Sequence, residues 1–191
     1  MAWQILRYKL TSSAPLLMHN GQTADPLNKW SRAIKKISSK RVKTDADYEE
    51  MARIEFLAGL YLSPDGPVIP SYVFDSMLVS AAKKSKEGPL AKSSAFCMNH
   101  ARLDYDGPRD TDSMWADERF RFSAIVKVGM ARVSRMRPKF DDWSCIMEVN
   151  VETTLINPGR VDEWMQVAGT QIGLGDWRPQ HGRFTAERLP E

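Results

Sequence analysis

The sequence predicts an α+β fold in which strands and helices belong to one domain. Three observations point to it: segments of alternating polarity lie near both ends of the chain, apolar residues at helical spacing lie between them, and no internal repeat is apparent. The 191 residues, 42% of them hydrophobic, suffice for one sizeable core. We therefore expect a single domain over residues 1–191, with a helical insertion at 26–62 and a loop-rich insertion at 85–121.

The first part of the chain is predicted to form one strand and three helices. Residues 2–12 alternate between polar and apolar types, which is typical of a half-buried strand. Asp25, followed by Pro26, has the residue types of a helix start. A second helix is predicted to begin at Thr44 and a third at Ser71, because both residue types cap helix N-termini.

The last part is predicted to form two strands, a helix and a final strand. The segment FSAIVKVGMARVSRMRPKF alternates and indicates one strand that ends near Pro138. Residues 143–152 are the expected antiparallel neighbour of that strand. A helix is predicted from Asn157, which precedes a proline, and a short strand from Phe184 closes the domain.

The cationic residues are gathered in two segments, although the formal net charge is only +3. The first segment, between Asp25 and Asp45, contains Lys29, Arg32, Lys35, Lys36, Lys40, Arg41 and Lys43. The second, between Glu118 and Asp141, contains Arg119, Arg121, Lys127, Arg132, Arg135, Arg137 and Lys139. Such segregation creates local fields that attract a polyanion even when the whole protein is nearly neutral. The alternative is two solvated faces that only keep the protein soluble.

Several classes of protein are not supported by the sequence. It contains no apolar run long enough to span a bilayer, and the N-terminus lacks the pattern of a secretory signal, so we expect a cytoplasmic protein with no membrane partner. Cys97 and Cys145 are far apart, with neither a CxxC pattern nor an adjacent histidine, so we expect two reduced cysteines and no metal site. The GxxxxGK[ST] pattern is absent, and no cofactor is expected.

Three segments follow one another along the chain: YKLTSSAPLLMHNG, VIPSYVFDSMLVSAAKK and GLGDWRPQHGRF. They resemble the first strand and its Pro-Leu turn, the start of the first core helix, and the C-terminal glycine-rich loop of the repeat-associated mysterious protein (RAMP) superfamily. Members of that superfamily form backbone and processing subunits of CRISPR effector complexes. The resemblance implies a ferredoxin-like βαββαβ fold, related to the RNA recognition motif, with an antiparallel sheet. A stand-alone or virus-encoded relative is an alternative.

The glycine-rich segment 173–184 is predicted to bind the phosphates and bases of a single-stranded nucleic acid. Glycine lets backbone N–H groups approach a phosphate closely, and Gly173, Gly175 and Gly182 are placed to do so. The alternative is a tight turn between helix and strand in which Trp177 is buried. The other predicted binding residues of the segment are Arg178 and Arg183 for phosphates, and Trp177 and His181 for base stacking.

The predicted function is binding of single-stranded nucleic acid, RNA favoured over DNA, through its phosphates. The resemblance also implies a homo-oligomer or filament along the strand, and other CRISPR-type subunits as partners. The predicted binding residues are Lys35, Lys36, Lys40, Arg41, Lys43, Arg132, Arg135, Arg137, Gly173, Gly175, Trp177, Arg178, His181 and Arg183.

Two further hypotheses stay open. The first is a metal-independent RNA endonuclease, in which His19 and His181 act as general base and acid. Asp25 corresponds roughly to a loop aspartate that follows the first strand in some members of the superfamily. The second is a non-catalytic interaction protein, such as a virion component or a mimic of a CRISPR subunit, which exposed tryptophans at 30, 115 or 164 would favour.

Overall fold

The computed structural model describes residues 2–190 and is a mixed α+β structure with antiparallel sheets. The strands are β1 (Trp3–Ser12), β2 (Leu16–Leu17), β3 (Leu62–Ser63), β4 (Gly66–Ile69), β5 (Ala95–Phe96), β6 (Ala101–Arg102), β7 (Asp104–Tyr105), β8 (Arg121–Val128), β9 (Ala131–Phe140), β10 (Trp143–Glu152) and β11 (Phe184–Arg188). The α-helices are α1 (Lys29–Ser38), α2 (Asp45–Gly59), α3 (Ser71–Ala82), α4 (Gly88–Ser94), α5 (Thr111–Ala116) and α6 (Pro158–Val167). Over this described range, every helix is too short or too polar to cross a membrane.

The chain divides into two compact units. Unit 1 consists of Met1–Leu16, Leu62–Asp106 and Asp141–Glu191, and unit 2 of Leu17–Tyr61 and Gly107–Phe140. Most of the predicted helical insertion at 26–62 lies in unit 2, whereas the predicted loop-rich insertion at 85–121 contributes to both units. That second segment is less irregular than expected, because α4 and α5 form within it. Pro89 does not prevent α4, since it stands in the first turn, where its missing N–H has no partner to lose.

Unit 1 is built on an antiparallel sheet with the strand order β11-β1-β10-β5, and β7 also pairs with β10. The half-buried strand predicted for residues 2–12 is confirmed, because Leu6, Tyr8 and Leu10 are buried; Trp3 and Ile5, which are also apolar, lie on its exposed face. The buried Tyr8 hydroxyl donates a hydrogen bond to the Asp162 carboxylate of α6 at 2.6 Å, which ties the sheet to the helix. The core of unit 1 therefore lies on the face of the sheet that meets α6.

Unit 2 consists of α1, α2, α5 and a long hairpin made of β8 and β9. α2 begins at Asp45, one residue after the predicted start, and Thr44 is its N-cap. The Thr44 hydroxyl accepts from the Asp47 N–H, and the Asp47 carboxylate accepts from the Thr44 N–H, which is a capping box. The hairpin residues pair in register from Arg121 opposite Pro138 to Val128 opposite Ala131. Gly129 makes the turn possible because its φ of +60° is easily reached only by glycine.

The predicted start of the first helix was wrong by a few residues, and the third helix begins at Ser71 as predicted but without the predicted cap. α1 begins at Lys29 because the Asn28 side chain accepts from the Trp30 N–H at 2.9 Å, whereas Asp25 closes a separate turn. In α3, Ser71 is the first helical residue and makes no side-chain cap, since Pro70 occupies the cap position.

The prediction of a single strand from residue 122 to Pro138, paired with residues 143–152, was also wrong. The Gly129 turn divides that segment into β8 and β9, which pair with each other. β10 pairs instead with β1 at the other end of the sequence, where nine consecutive residues are in register. Local alternation predicts strands but does not choose their partners, because the pattern within one strand carries no information about which strand lies beside it.

The helix at Asn157, the last strand and the reduced cysteines were predicted correctly. The Asn157 side chain accepts from the Gly159 N–H at 2.9 Å and caps α6. β11 begins at Phe184 and pairs with β1. Cys97 and Cys145 are both buried free thiols.

Candidate functional site

Unit 2 contains a cleft of about 330 Å³ between α1, the end of α2 and β9, which we call the basic cleft. Three cations line it together with a single carboxylate, that of Glu55. The cations are Lys35 of α1 and Arg135 and Arg137 of β9, so the two basic segments of the sequence meet here. The rest of the lining is both polar and apolar, and it consists of His19, Asn20, Thr23, Ser31, Ile34, Ser38, Ala58 and Gly59.

The Glu55 carboxylate holds the Arg135 side chain in place. Arg135 Nη1 donates to Glu55 Oε1 at 2.6 Å, while the other carboxylate oxygen accepts from the Met136 N–H at 2.8 Å. The pair is largely shielded from solvent, with 30% of the Arg135 side chain and 11% of the Glu55 side chain exposed. The lining of the cleft contains three cationic side chains and one carboxylate, so its formal charge is positive.

Arg137 is positioned by the strand on which it lies. Residues two apart in a strand face the same side, so Arg135 and Arg137 both reach the basic cleft. Arg137 Nη1 also donates to the Met136 carbonyl at 3.1 Å, which helps to orient its guanidinium group. Arg132, which alternation placed on the other face, is not among the lining residues; it is exposed and lies opposite Lys127 in the hairpin.

The other cations predicted on the first basic segment have different surroundings. Lys40 Nζ donates to Asp47 Oδ1 at 2.5 Å, and this hydrogen bond lowers the pKa of Asp47 below its ordinary range. Lys43 Nζ donates to the Lys40 carbonyl at 2.9 Å. Lys36 and Arg41 are exposed. Of the first basic segment, Lys35 is the predicted binding residue that the structure places in the cleft.

The glycine-rich loop belongs to unit 1, and its hydrogen bonds close it on itself. Gly173 donates its N–H to the Ala168 carbonyl at 2.8 Å, and Gly182 donates to the Pro15 carbonyl at 2.7 Å. The Gly182 carbonyl in turn accepts from the Leu174 N–H at 2.8 Å. These two glycines have positive φ values of +77° and +72°, so the backbone itself requires them. Their N–H groups are engaged inside the protein and are not directed at a phosphate.

Trp177 and its neighbours form the accessible part of that loop. Trp177 is 37% exposed and has a φ of +53°, which is unusual for a residue with a side chain. Its ring makes an edge contact with His181, with centroids 6.2 Å apart. A hollow of about 510 Å³ lies beside it, lined also by Gly175 and Arg178. Arg178 and Arg183 are both exposed.

The residues of the endonuclease hypothesis lie in three settings. His19 lines the basic cleft of unit 2, His181 belongs to the glycine-rich loop of unit 1, and Asp25 is an exposed residue whose carboxylate accepts from the Leu27 N–H at 2.8 Å. Their catalytic role stays a prediction. Within residues 2–190, no three side chains of the His, Cys, Asp and Glu types are grouped as metal ligands.

Sequence reasoning did not identify Glu55 or the polar walls of the cleft. Glu55 is 80 residues away from Arg135 along the chain, so no local pattern connects them. Ser31, Lys35 and Ser38 are spaced by four and three residues, which places them on one face of a helix. That spacing was a usable signal, because a polar face beside an apolar one marks a side that contacts solvent or a ligand.

No protein-family model matches the chain, and none of the curated proteins is significantly similar to it in sequence.

Proposed function

We propose that this protein binds single-stranded nucleic acid, with RNA preferred, through phosphate contacts in the basic cleft. The observation that supports the proposal most strongly is the meeting of Lys35 with Arg135 and Arg137 around one hollow. Cations gathered in a concave site concentrate the positive potential and attract anions more strongly than the same charges spread over a convex surface.

Lys35 and Arg137 are the proposed phosphate ligands, and Arg135 has a positioning role through Glu55. Hydrogen bonds from a guanidinium or ammonium group to phosphate are charge-assisted and about twice as strong as neutral ones. Each neutralised phosphate releases counterions, so each contact adds about −0.7 to the slope of log K against log salt for a single strand. Affinity is therefore expected to fall steeply as salt is raised.

Trp177 is the proposed stacking residue of the glycine-rich loop. Its ring is partly exposed beside a hollow, and stacking of one base on an aromatic ring contributes about 1–3 kcal/mol without sequence preference. The glycines of the loop then have a structural role, in that they hold the backbone conformation that presents Trp177.

A ferredoxin-like topology for unit 1 is part of the same proposal. If β1, β5, β10 and β11 are taken as the four strands and α3 and α6 as the two helices, the chain order is βαββαβ. The sheet order β11-β1-β10-β5 then becomes 4-1-3-2 with antiparallel neighbours, which is the arrangement expected for that topology. This order supports a relationship to the RAMP superfamily, and with it assembly along a strand.

The proposal is tested by titrating a fluorescently labelled single-stranded RNA with the protein and following anisotropy over a series of salt concentrations. The double variant Lys35→Gln/Arg137→Gln is expected to bind more weakly and to reduce the magnitude of the salt slope by about 1.4, since two phosphate contacts are lost. Lys84→Gln/Lys92→Gln, which removes two exposed charges of unit 1, is the matched control and is expected to keep the slope.

A stronger perturbation addresses the whole first basic segment. Changing Lys35, Lys36, Lys40 and Arg41 together to Glu is expected to abolish binding while circular dichroism shows a folded protein. Undiminished RNA binding by this folded variant at moderate salt would refute the proposal.

A further inference from the structure

The outer face of the unit 1 sheet carries large apolar side chains in solvent. In β1, Trp3 is 48% exposed and Ile5 is 54% exposed, and in β10, Ile146 is 46% exposed. Trp3 also packs edge-on against Phe96 of β5, with ring centroids 5.3 Å apart. Trp3, Ile5 and Phe96 lie at one end of this face, whereas Ile146 lies opposite Lys9, beyond the Arg7–Glu148 pair. Exposed apolar side chains grouped in this way on a folded protein mark an interaction surface. In contrast, Trp164, one of the tryptophans expected to mark a partner surface, is buried.

The charges on the same face are balanced. Arg7 of β1 lies opposite Glu148 of β10, and Arg7 Nε is 3.4 Å from Glu148 Oε1. Lys9 lies opposite Glu187 of β11. A nucleic acid strand on this face would bring its phosphates close to Glu148 and Glu187, which repel them. A partner whose own surface carries alternating charges meets no such repulsion, because each cation finds a carboxylate.

A second copy of the chain has that alternating pattern by construction. Two copies can pack with their outer faces together, related by a two-fold axis that is parallel to the strands and lies between β1 and β10. In this arrangement β1 of each copy lies over β10 of the other. Because Arg7 and Glu148 are cross-strand partners, Arg7 of each copy then lies over Glu148 of the other. The ends that carry Trp3 and Ile5 also come together beside the axis, and the β10 residues directly across from them in the other copy are Glu152, which is buried, and Asn150. Two sheets packed in this way keep their strands within about 30° of each other.

We infer that the outer face of the unit 1 sheet is an isologous dimer interface, with Trp3 and Ile5 in its apolar part and Arg7 and Glu148 as reciprocal ion pairs. The inference is independent of the proposed function, since the basic cleft belongs to unit 2. Aromatic residues and arginine are enriched in protein interfaces, in agreement with the composition of this face.

The test is sedimentation equilibrium of the nuclease-treated protein over a range of concentrations. The unaltered protein is expected to follow a monomer–dimer equilibrium, and Ile5→Glu to be monomeric. Tyr72→Glu on α3, where Tyr72 is 57% exposed, is the control for adding a charge at an exposed apolar position, and it is expected to dimerise normally.

A charge exchange identifies the contact between copies even if Ile5→Glu fails to fold. Arg7→Glu places like charges across the interface and is expected to raise the dissociation constant about tenfold or more. The double variant Arg7→Glu/Glu148→Arg restores the reciprocal pairs and is expected to return the constant to that of the unaltered protein.

Three results would overturn the inference: an unaltered protein that is monomeric at all concentrations, dimerisation that persists in both Ile5→Glu and Arg7→Glu, or a double variant no better than Arg7→Glu. RNA binding measured on the same variants separates the two proposals, because it is expected to survive Ile5→Glu. Loss of RNA binding in folded Ile5→Glu, with no dimer in the unaltered protein, would assign the face to nucleic acid instead.

Discussion

Replacement of Gly182 by alanine is expected to destabilise the protein strongly. A Cβ atom at this position would lie 1.8 Å from the Leu174 carbonyl oxygen, so the loop has to open. Opening breaks the hydrogen bonds that Gly182 makes with Leu174 and with Pro15, each worth about 1 kcal/mol net. The left-handed φ of +72° adds roughly 1–2 kcal/mol for a residue with a Cβ. The total is about 3–4 kcal/mol of lost unfolding free energy.

Urea unfolding followed by circular dichroism measures this loss. Gly129→Ala is the control for the φ cost alone, since Gly129 has a φ of +60° and a Cβ added there would meet no other atom within 4 Å. The unfolding free energy of Gly129→Ala is expected to fall by only roughly 1–2 kcal/mol, which is the cost of a left-handed φ for a residue with a Cβ. Equal losses in the two variants would show that the loop is not closed as described, and would return Gly182 to the set of candidate ligand contacts.

Three further outcomes follow from buried or paired groups. Tyr8→Phe is expected to lower the melting temperature, because the Asp162 carboxylate loses a donor at 2.6 Å in a site where such losses cost roughly 1–3 kcal/mol; an unchanged melting temperature would contradict this. Hydrogen bonds from Arg160 hold the pKa of Glu87 at about 2, below its ordinary 4.5, so its stabilising effect is complete above pH 4.5 and is lost as the pH falls toward 2. Glu87→Gln is expected to lose less stability than the unaltered protein as the pH falls from 4.5 toward 2. Equal losses of stability in the two proteins would argue against the ion pair. Burial raises the pKa of the Cys145 thiol to about 12, so a thiol reagent at neutral pH is expected to modify Cys145 only when urea is added, and rapid modification without urea would show that the site is open.

The sequence was informative wherever local chemistry decides the structure. Thr44 and Asn157 cap helices because their side chains reach backbone N–H groups within the same turn. The alternation in β1 is a reliable signal because one face of that strand is buried. Strand partners could not be predicted in the same way, since the pairing of β1 with β10 depends on contacts across most of the chain.

The candidate site shows the same division. The two basic segments are evident from the sequence, but their meeting at Lys35 and Arg137 depends on how α1 and β9 pack within unit 2. Glu55 was missed because a single glutamate in a helix has no distinguishing pattern. The sequence does not show whether Gly173 and Gly182 contact a ligand or form a closed turn. Both roles favour glycine, because both can require a positive φ or a close approach of other atoms to the backbone. Only the backbone hydrogen bonds distinguish the two roles.

Photo-crosslinking reports where a nucleic acid lies on the protein, and so tests the proposed binding to the basic cleft without relying on a variant. A single-stranded RNA containing 4-thiouridine is bound at low salt, irradiated, digested and analysed by mass spectrometry. Adducts are expected on the peptides of α1 and β9 that carry Lys35 and Arg137, with loss of these adducts as salt is raised. A protein that binds RNA but shows no adduct on either peptide, or a protein that binds no RNA at low salt, would contradict the proposal.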